Sequence, residues 1–275
     1  MSLLELHDVC KTFHALGREP VKALRDINLT VEEGTITGLV GESGSGKTTI
    51  IKSIMGLEKP TSGTITYDGI NIPEARGEAL RRVRREVQFV FQDPTSSLNP
   101  RMTVEKLVGE GLLVHKLEPN RARRRARVAE LLTMVGLSDR DLDRHPRSFS
   151  GGQRQRIAIA RALAIGPKLL ICDEPVSALD VSVQAQVLNL LQDMQEELGF
   201  TVLFIAHDLA VVRQICSRVA VIQLGQIVEE GPSETVLAAP SHPYTQALLR
   251  AVPNPNPTIA RQRAKERLAE EEKVA

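Results

Sequence analysis

Gly41-Glu42-Ser43-Gly44-Ser45-Gly46-Lys47-Thr48 spells G-x-x-x-x-G-K-T, and its flanks decide what it means. Before it, Thr35-Ile36-Thr37-Gly38-Leu39-Val40 reads as a buried strand; after it, Thr49 to Leu57 carries Ile50, Ile51, Ile54 and Leu57 at helical spacing. A glycine-rich turn between strand and helix can wrap its backbone N–H groups around an anion, because glycine reaches the φ values a tight wrap needs. The helix N-terminus adds the positive end of its dipole. In such a loop Lys47 reaches the β- and γ-phosphates of a nucleotide and the Thr48 hydroxyl holds Mg²⁺. A chance glycine-rich turn would not come with both flanks. The loop predicts a nucleoside triphosphate.

Four further places sharpen that reading. The apolar run Leu169-Leu170-Ile171-Cys172 delivers Asp173 and Glu174 at its C-terminal end, the edge where ligands gather in open α/β sheets. Asp173 suits Mg²⁺, which keeps most of its waters and takes one or two protein oxygens. Its neighbour Glu174 is placed to polarise an attacking water. Gln92 closes the strand-like run Val87 to Phe91, where a neutral amide can touch the metal or simply face solvent. His207 leaves the run Thr201 to Ala206 just before Asp208, which suits either a phosphate contact or a helix-capping turn. Finally, Ser150-Gly151-Gly152-Gln153 opens a helix through Leu163, and a serine start with two glycines offers bare N–H groups to an anion. One loop already serves one triphosphate. A second anion site therefore suggests that two copies share each nucleotide.

Around these motifs, short strand-like runs (Leu3 to Val9, Ile27 to Val31, Thr64 to Tyr67 after a Thr61-Ser62-Gly63 turn) precede a helical stretch from about Pro94 to Pro146, with Val128, Leu131, Leu132 and Val135 on one face. Strands return at Leu169 to Cys172, Thr201 to Ala206 and Val219 to Leu224, with a helix through Val183, Val187, Leu191 and Met194 between the first two. Strand, helix, strand in series predicts an α/β fold with a mostly parallel sheet. Pro253 to Pro257 breaks the chain, and Arg261 to Ala275 is charge-rich, suiting a lone helix or a disordered tail.

At 275 residues, 42% hydrophobic and 25% charged, the chain can bury a sizeable core in one large domain or a core plus subdomain. A net charge of +1 gives no global pull toward nucleic acid. The basic clusters Arg81 to Arg85 and Arg121 to Arg127 read as solvated helix faces. No apolar stretch nears the roughly 18 residues of a membrane span, and no signal peptide is read at Met1 to Asp8. Cys10, Cys172 and Cys216 form no C-x-x-C pair and are expected as buried, reduced thiols of a cytosolic chain.

In the order Gly41 to Thr48, Gln92, Ser150 to Gln153, Asp173-Glu174, Ser177-Ala178-Leu179-Asp180 and His207, the chain resembles the nucleotide-binding subunits of ATP-binding-cassette transporters, from about Leu3 to Pro253. Phe91 to Pro100, Pro175 to Ser182 and His242-Pro243-Tyr244-Thr245 resemble the oligopeptide and dipeptide importer branch, as the second of its two ATPase subunits. Phe149 stands where many cassettes have Leu, and no cysteine follows Cys216, so the iron–sulfur-like cysteine cluster of many relatives is not expected.

The resemblance implies a P-loop NTPase of RecA-like type: a core over 1–93 and 155–235 with an antiparallel β part near the N-terminus, an inserted helical signature subdomain over 94–154, and an extension over 236–275. It implies ATP and Mg²⁺ as ligands. Gly41, Glu42, Ser43, Gly44, Ser45, Gly46, Lys47, Thr48 and Thr49 would surround the phosphates, with Thr48, Gln92 and Asp173 toward the metal. Catalysis would fall to Glu174, His207 and Gln92, with Glu174 orienting or deprotonating water and His207 sensing the γ-phosphate. Two subunits, identical or related, would stack head to tail, so that Ser150, Gly151, Gly152 and Gln153 of one face the loop of the other and Asp180 links the sites. Phe13 would stack on adenine or serve as an ordinary core residue. Partners would be transmembrane permease subunits, received just after Gln92 through Pro100, and indirectly a solute-binding protein, at the cytoplasmic face of the membrane. Nucleic acid is not expected: no sustained heptads fill the roughly one hundred residues between Thr48 and Ser150, and one motif set is present. Nickel, glutathione and antimicrobial peptides remain open as solutes, as does a soluble complex such as one for phosphonate breakdown.

Overall fold

The computed structural model describes residues 1–251 except 15, 16 and 18; the Pro253–Pro257 breaker and the Arg261–Ala275 tail lie outside the described residues. Its centre is a six-stranded sheet, made from the apolar runs β3 (Ile36–Val40), β6 (Val87–Val90), β7 (Leu169–Asp173), β8 (Thr201–Ala206) and β9 (Arg218–Gln223) and from the more polar edge strand β10 (Gln226–Pro232), in the order β10-β9-β3-β8-β7-β6. All neighbours pair in parallel except β10, which turns back along β9. Alternation along each strand shows why the runs are continuously apolar. Val40, Leu170, Cys172, Val202, Phe204, Val219 and Val221 join one buried cluster, while Leu39, Leu169, Ile171, Leu203, Ile205, Ala220 and Ile222 join the other. A sheet covered on both faces favours apolar side chains at nearly every position, with Thr37 and Thr201 as buried polar exceptions. Each such side chain contributes on the order of 1.5–3 kcal/mol by leaving water.

One face is covered by helices α4 (Val104–Val114), α5 (Arg121–Met134), α6 (Gly151–Leu163), α7 (Val181–Leu198), α8 (Leu209–Ile215) and α9 (Ser233–Ala238). The other holds α1 (Lys47–Ile54) and a four-stranded antiparallel sheet, β2-β1-β4-β5, formed by β1 (Ser2–Phe13), β2 (Val21–Glu32), β4 (Ser62–Tyr67) and β5 (Ile70–Asn71). A parallel sheet flanked by helices, with an antiparallel sheet at the N-terminus, is the expected architecture. The expected helical region also appears, with α3 (Pro94–Ser97), α4 and α5 between β6 and β7. The junction drawn between 154 and 155 falls inside α6, which runs unbroken from Gly151 to Leu163.

Several ends differ from the sequence reading. Leu57 does not extend the apolar face of α1: the helix stops at Ile54 and Leu57 is exposed, while Ile50, Ile51 and Ile54 are buried. Leu224 lies beyond β9 in a two-residue turn with φ +47°, and Phe91 lies beyond β6; both are exposed. Ser62-Gly63 opens β4 instead of forming a separate turn. Cys172 and Cys216 are buried and reduced, but Cys10 is only half-buried, its Sγ 3.1 Å from Asp26 Oδ1 at an irregularity of the β1–β2 ladder. The arginines of 81–85 and 121–127 do lie on helices, α2 (Gly77–Glu86) and α5. There Arg82 pairs with Glu86 and Asp68, and Arg125 with Glu105 and Asp143.

Candidate nucleotide site

Parallel register brings the motifs to one edge. Val40 pairs with Ala206, Asp173 with Ile205, and Val90 with Cys172, so β3, β8, β7 and β6 end nearly level. The residues that follow are Gly41, His207, Glu174 and, two beyond Val90, Gln92. Of these, His207, Glu174 and Gln92 line a cavity of about 940 Å³, together with Asp173 and with Glu42, Ser43, Gly44, Gly46, Lys47, Thr48 and Thr49 of the loop. Four segments far apart in the chain therefore converge because their strands end together.

The loop is shaped by its glycines. Gly44 and Gly46 sit at φ +81° and +113°, where a side chain would be strained. Gly41 is required for another reason: a Cβ there would overlap the backbone oxygen of Ile222 and approach Ser45 Oγ to 2.8 Å. Lys47 starts α1 and is buried; its Nζ donates to the carbonyls of Gly41 at 2.6 Å and Glu42 at 2.9 Å. Burial pulls the Lys47 pKa below its ordinary value, opposed by the charges of Glu174, Asp173 and Glu42. The ammonium thus curls onto its own loop, ready to exchange two carbonyls for phosphate oxygens.

Opposite it stands the acid pair. Burial first, and then the Glu174 charge, push the Asp173 pKa up, with Lys47 opposing. Two adjacent carboxylates short of positive charge form an environment that a cation relieves. Glu174 holds φ +44°, a conformation that costs a non-glycine residue on the order of 1–3 kcal/mol and is typical of functional sites. Its N–H donates to Ile205 O at 3.0 Å, which ties the turn to β8. Its Oε2 accepts from Gln92 Nε2 at 3.1 Å and lies 3.1 Å from His207 Nδ1. His207 therefore meets the acid side chain, while the capping turn belongs to Asp208, whose Oδ1 accepts from Ala210 N–H at 2.8 Å. Gln92 Nε2 also reaches Ser177 Oγ at 3.3 Å, a contact that the Ser177-Ala178-Leu179-Asp180 text does not announce.

Ser150 to Gln153 do not join this cavity, and neither do Asp180 or Phe13. Ser150 caps α6: its Oγ accepts from Gln153 N–H at 3.3 Å, and Gln153 Oε1 accepts from Ser150 N–H at 3.0 Å. Ser150 and Gln153 remain exposed, as does Asp180 at the start of α7. Phe13 is 38% exposed with Lys11 Nζ 4.9 Å from its ring centre, so an ordinary core role is excluded. Gly152 has a packing reason of its own, since a Cβ there would overlap Val183 Cγ1 on α7. Gly152→Ala is expected to force α6 from α7 and lower stability by about 1–3 kcal/mol, the usual cost of overpacking; thermal melting checks it, and an unchanged midpoint would show that the contact yields freely.

Residues without a motif also line the cavity: Lys22 and Arg25 from β2, and Leu248 with Ala251 from α10 (Pro243–Ala251). Arg25 N–H donates to Gly225 O at 2.8 Å, a long-range tie that no local pattern announces.

Known proteins match this chain over most of its length. A family model described as ABC transporter matches residues 24–177, and one described as oligopeptide/dipeptide transporter, C-terminal region, matches 228–275. The chain is 52% identical over 261 residues to the oligopeptide transport ATP-binding protein OppF of Streptococcus mutans, covering 95% of this chain and 85% of that protein. It is 49% identical over 263 residues to the dipeptide transport ATP-binding protein DppF of Lactococcus lactis, covering 95% and 84%. Among solved structures, the ATP-binding cassette MJ0796, in a dimeric post-hydrolysis state bound to ADP and Pi, superposes with a TM-score of 0.75 at 35% identity, covering 84% of this chain and 99% of that one. The cbiO1 subunit of the Clostridium perfringens cbiONQ transporter gives 0.78 at 29% identity, covering 95% and 98%.

Proposed function

The chain belongs to the ABC transporter family and hydrolyses ATP, and from that premise we propose that it powers a membrane importer of oligopeptides or dipeptides. The observation that carries the reading is the convergence of Lys47, Asp173, Glu174, Gln92 and His207 at one sheet edge. Its C-terminal match to the oligopeptide/dipeptide region and the peptide-transport names of its relatives supply the solute class.

Phosphoryl transfer asks a protein mainly for placement and charge neutralisation. Lys47 and the loop amides hold the phosphates, Glu174 orients or deprotonates water, and His207 and Gln92 steady the acid while meeting the γ-phosphate. Thr48, Asp173 and Gln92 fit Mg²⁺, since one hydroxyl, one carboxylate and one amide leave room for the waters and phosphate oxygens that this ion prefers. Bound there, it would neutralise charge developing on the phosphates.

The start of α6, with Ser150 and Gln153 exposed and Gly151 half-buried, belongs to a second subunit's nucleotide, with Asp180 linking the two sites and Phe13, exposed at the end of β1, available to an adenine ring. Losing the γ-phosphate removes the acceptor of those donors and loosens the pair. Asp93, Thr95, Ser96, Asn99 and Pro100 are exposed directly after Gln92, which suits a permease contact that feels this loosening. The chain then sits peripherally at the cytoplasmic face, and among the described residues no helix is long and apolar enough to cross a membrane. The core over 1–93 and 155–235, the helical part over 94–154 and the extension over 236–275 are the working divisions of this proposal.

Uptake of a labelled dipeptide and a labelled pentapeptide tests it, in cells carrying or lacking this chain. ATP-dependent uptake that disappears with the chain is expected. Undiminished peptide uptake, with loss of nickel or glutathione uptake instead, would replace the solute class.

A further inference from the structure

Tyr244 sits far from the phosphate loop in sequence, yet its hydroxyl oxygen accepts the backbone N–H of Glu42 at 3.1 Å. That N–H belongs to the second residue of the loop, next to the carbonyls that hold Lys47. Glycine-rich turns need outside partners, since most of their N–H groups have none within the turn.

The tyrosine is itself fixed. Glu229 on β10 accepts Ser241 N–H at 2.7 Å and Ser241 Oγ at 2.8 Å through Oε1, and His242 N–H at 3.2 Å through Oε2. His242 Nδ1 then accepts Tyr244 N–H at 3.2 Å, which sets the first turn of α10. Because β10 pairs with β9, and β9 with β3, the anchor and the loop hang from the same sheet. Leu248, one turn along α10, lines the nucleotide cavity.

We infer that Tyr244 is a positioning residue for the ATP-gripping loop: the C-terminal extension, anchored through Glu229, holds the Glu42 amide so that the loop keeps its nucleotide-ready shape. This rests on the reading of the 41–49 loop as the nucleotide site. It gives the region after β10 a task inside the ATPase cycle.

Tyr244→Phe removes one oxygen and keeps the ring. Titration of the full chain with ATP and Mg²⁺, read by displacement of a fluorescent ATP analogue, is expected to show a dissociation constant raised about three- to tenfold, the span of one hydrogen bond's net worth. A constant equal to wild type overturns the inference even if the melting temperature falls, because a merely structural tie would move melting alone. Glu229→Gln is expected to weaken ATP in the same direction, and the double variant to bind no worse than Tyr244→Phe; additive losses would break the proposed link. Lys47→Ala, titrated beside them, separates the two readings. If it loses ATP while Tyr244→Phe does not, only this inference falls; if Lys47→Ala itself binds like wild type, the nucleotide-site reading falls and takes this one with it.

Discussion

Glu174→Gln is expected to leave ATP binding intact and to slow hydrolysis in the assembled complex by at least about a hundredfold, the lower range for a lost general base. The substitution keeps the shape of the side chain and removes its charge and its ability to accept a proton. Gln92 Nε2 and His207 Nδ1, both 3.1 Å from Glu174 Oε2, can each still meet an amide oxygen, so the local frame survives. Removing the charge also relieves Asp173, whose pKa the Glu174 charge helps to raise, so the acid left behind ionises more readily. That change favours metal and nucleotide binding, and the variant should trap ATP. Phosphate release under single-turnover conditions, alongside an ATP titration, separates the two effects. Hydrolysis at the wild-type rate would remove Glu174 from the role of base.

Much of this site was legible because it sits at strand ends. The loop of 41–48, the acid pair and His207 each follow an apolar run, and a run that is buried on both faces is hard to mistake. What stayed hidden had weak or broken periodicity. β10 is an edge strand, mostly half-exposed, of mixed polar text ending in Gly231-Pro232, so neither a continuous apolar run nor a clean alternation marks it. β1 and β2 extend well past the expected Leu3 to Val9 and Ile27 to Val31, because irregularities near Asp8 and Asp26, at φ +48° and +50°, interrupt the period-two pattern. Leu57 and Leu224 mislead for the opposite reason: each is an apolar residue that continues the pattern past the end of its element, α1 or β9. The bond from Glu42 to Tyr244 joins residues that no local pattern relates, although the His242-Pro243-Tyr244-Thr245 text was visible.

The second large effect belongs to Lys47→Ala, which is expected to weaken ATP binding itself by about a hundredfold or more. A buried charge partner is worth roughly 2–5 kcal/mol when it is removed from one side of a pair, and about 1.4 kcal/mol corresponds to each tenfold. Lys47 meets that condition, since it is buried and is aimed into the loop by carbonyl contacts at 2.6 and 2.9 Å. Its loss also takes away the positive charge that faces Glu174, Asp173 and Glu42, so the cavity that must accept a polyanion becomes less positive at the same moment. Lys47→Arg should not restore binding: the planar guanidinium is wider than the ammonium that sits against the Gly41 and Glu42 carbonyls at 2.6 and 2.9 Å. Equilibrium titration of the full chain with ATP and Mg²⁺ decides the matter. Affinity undiminished in Lys47→Ala would mean that the phosphates lie somewhere other than this loop.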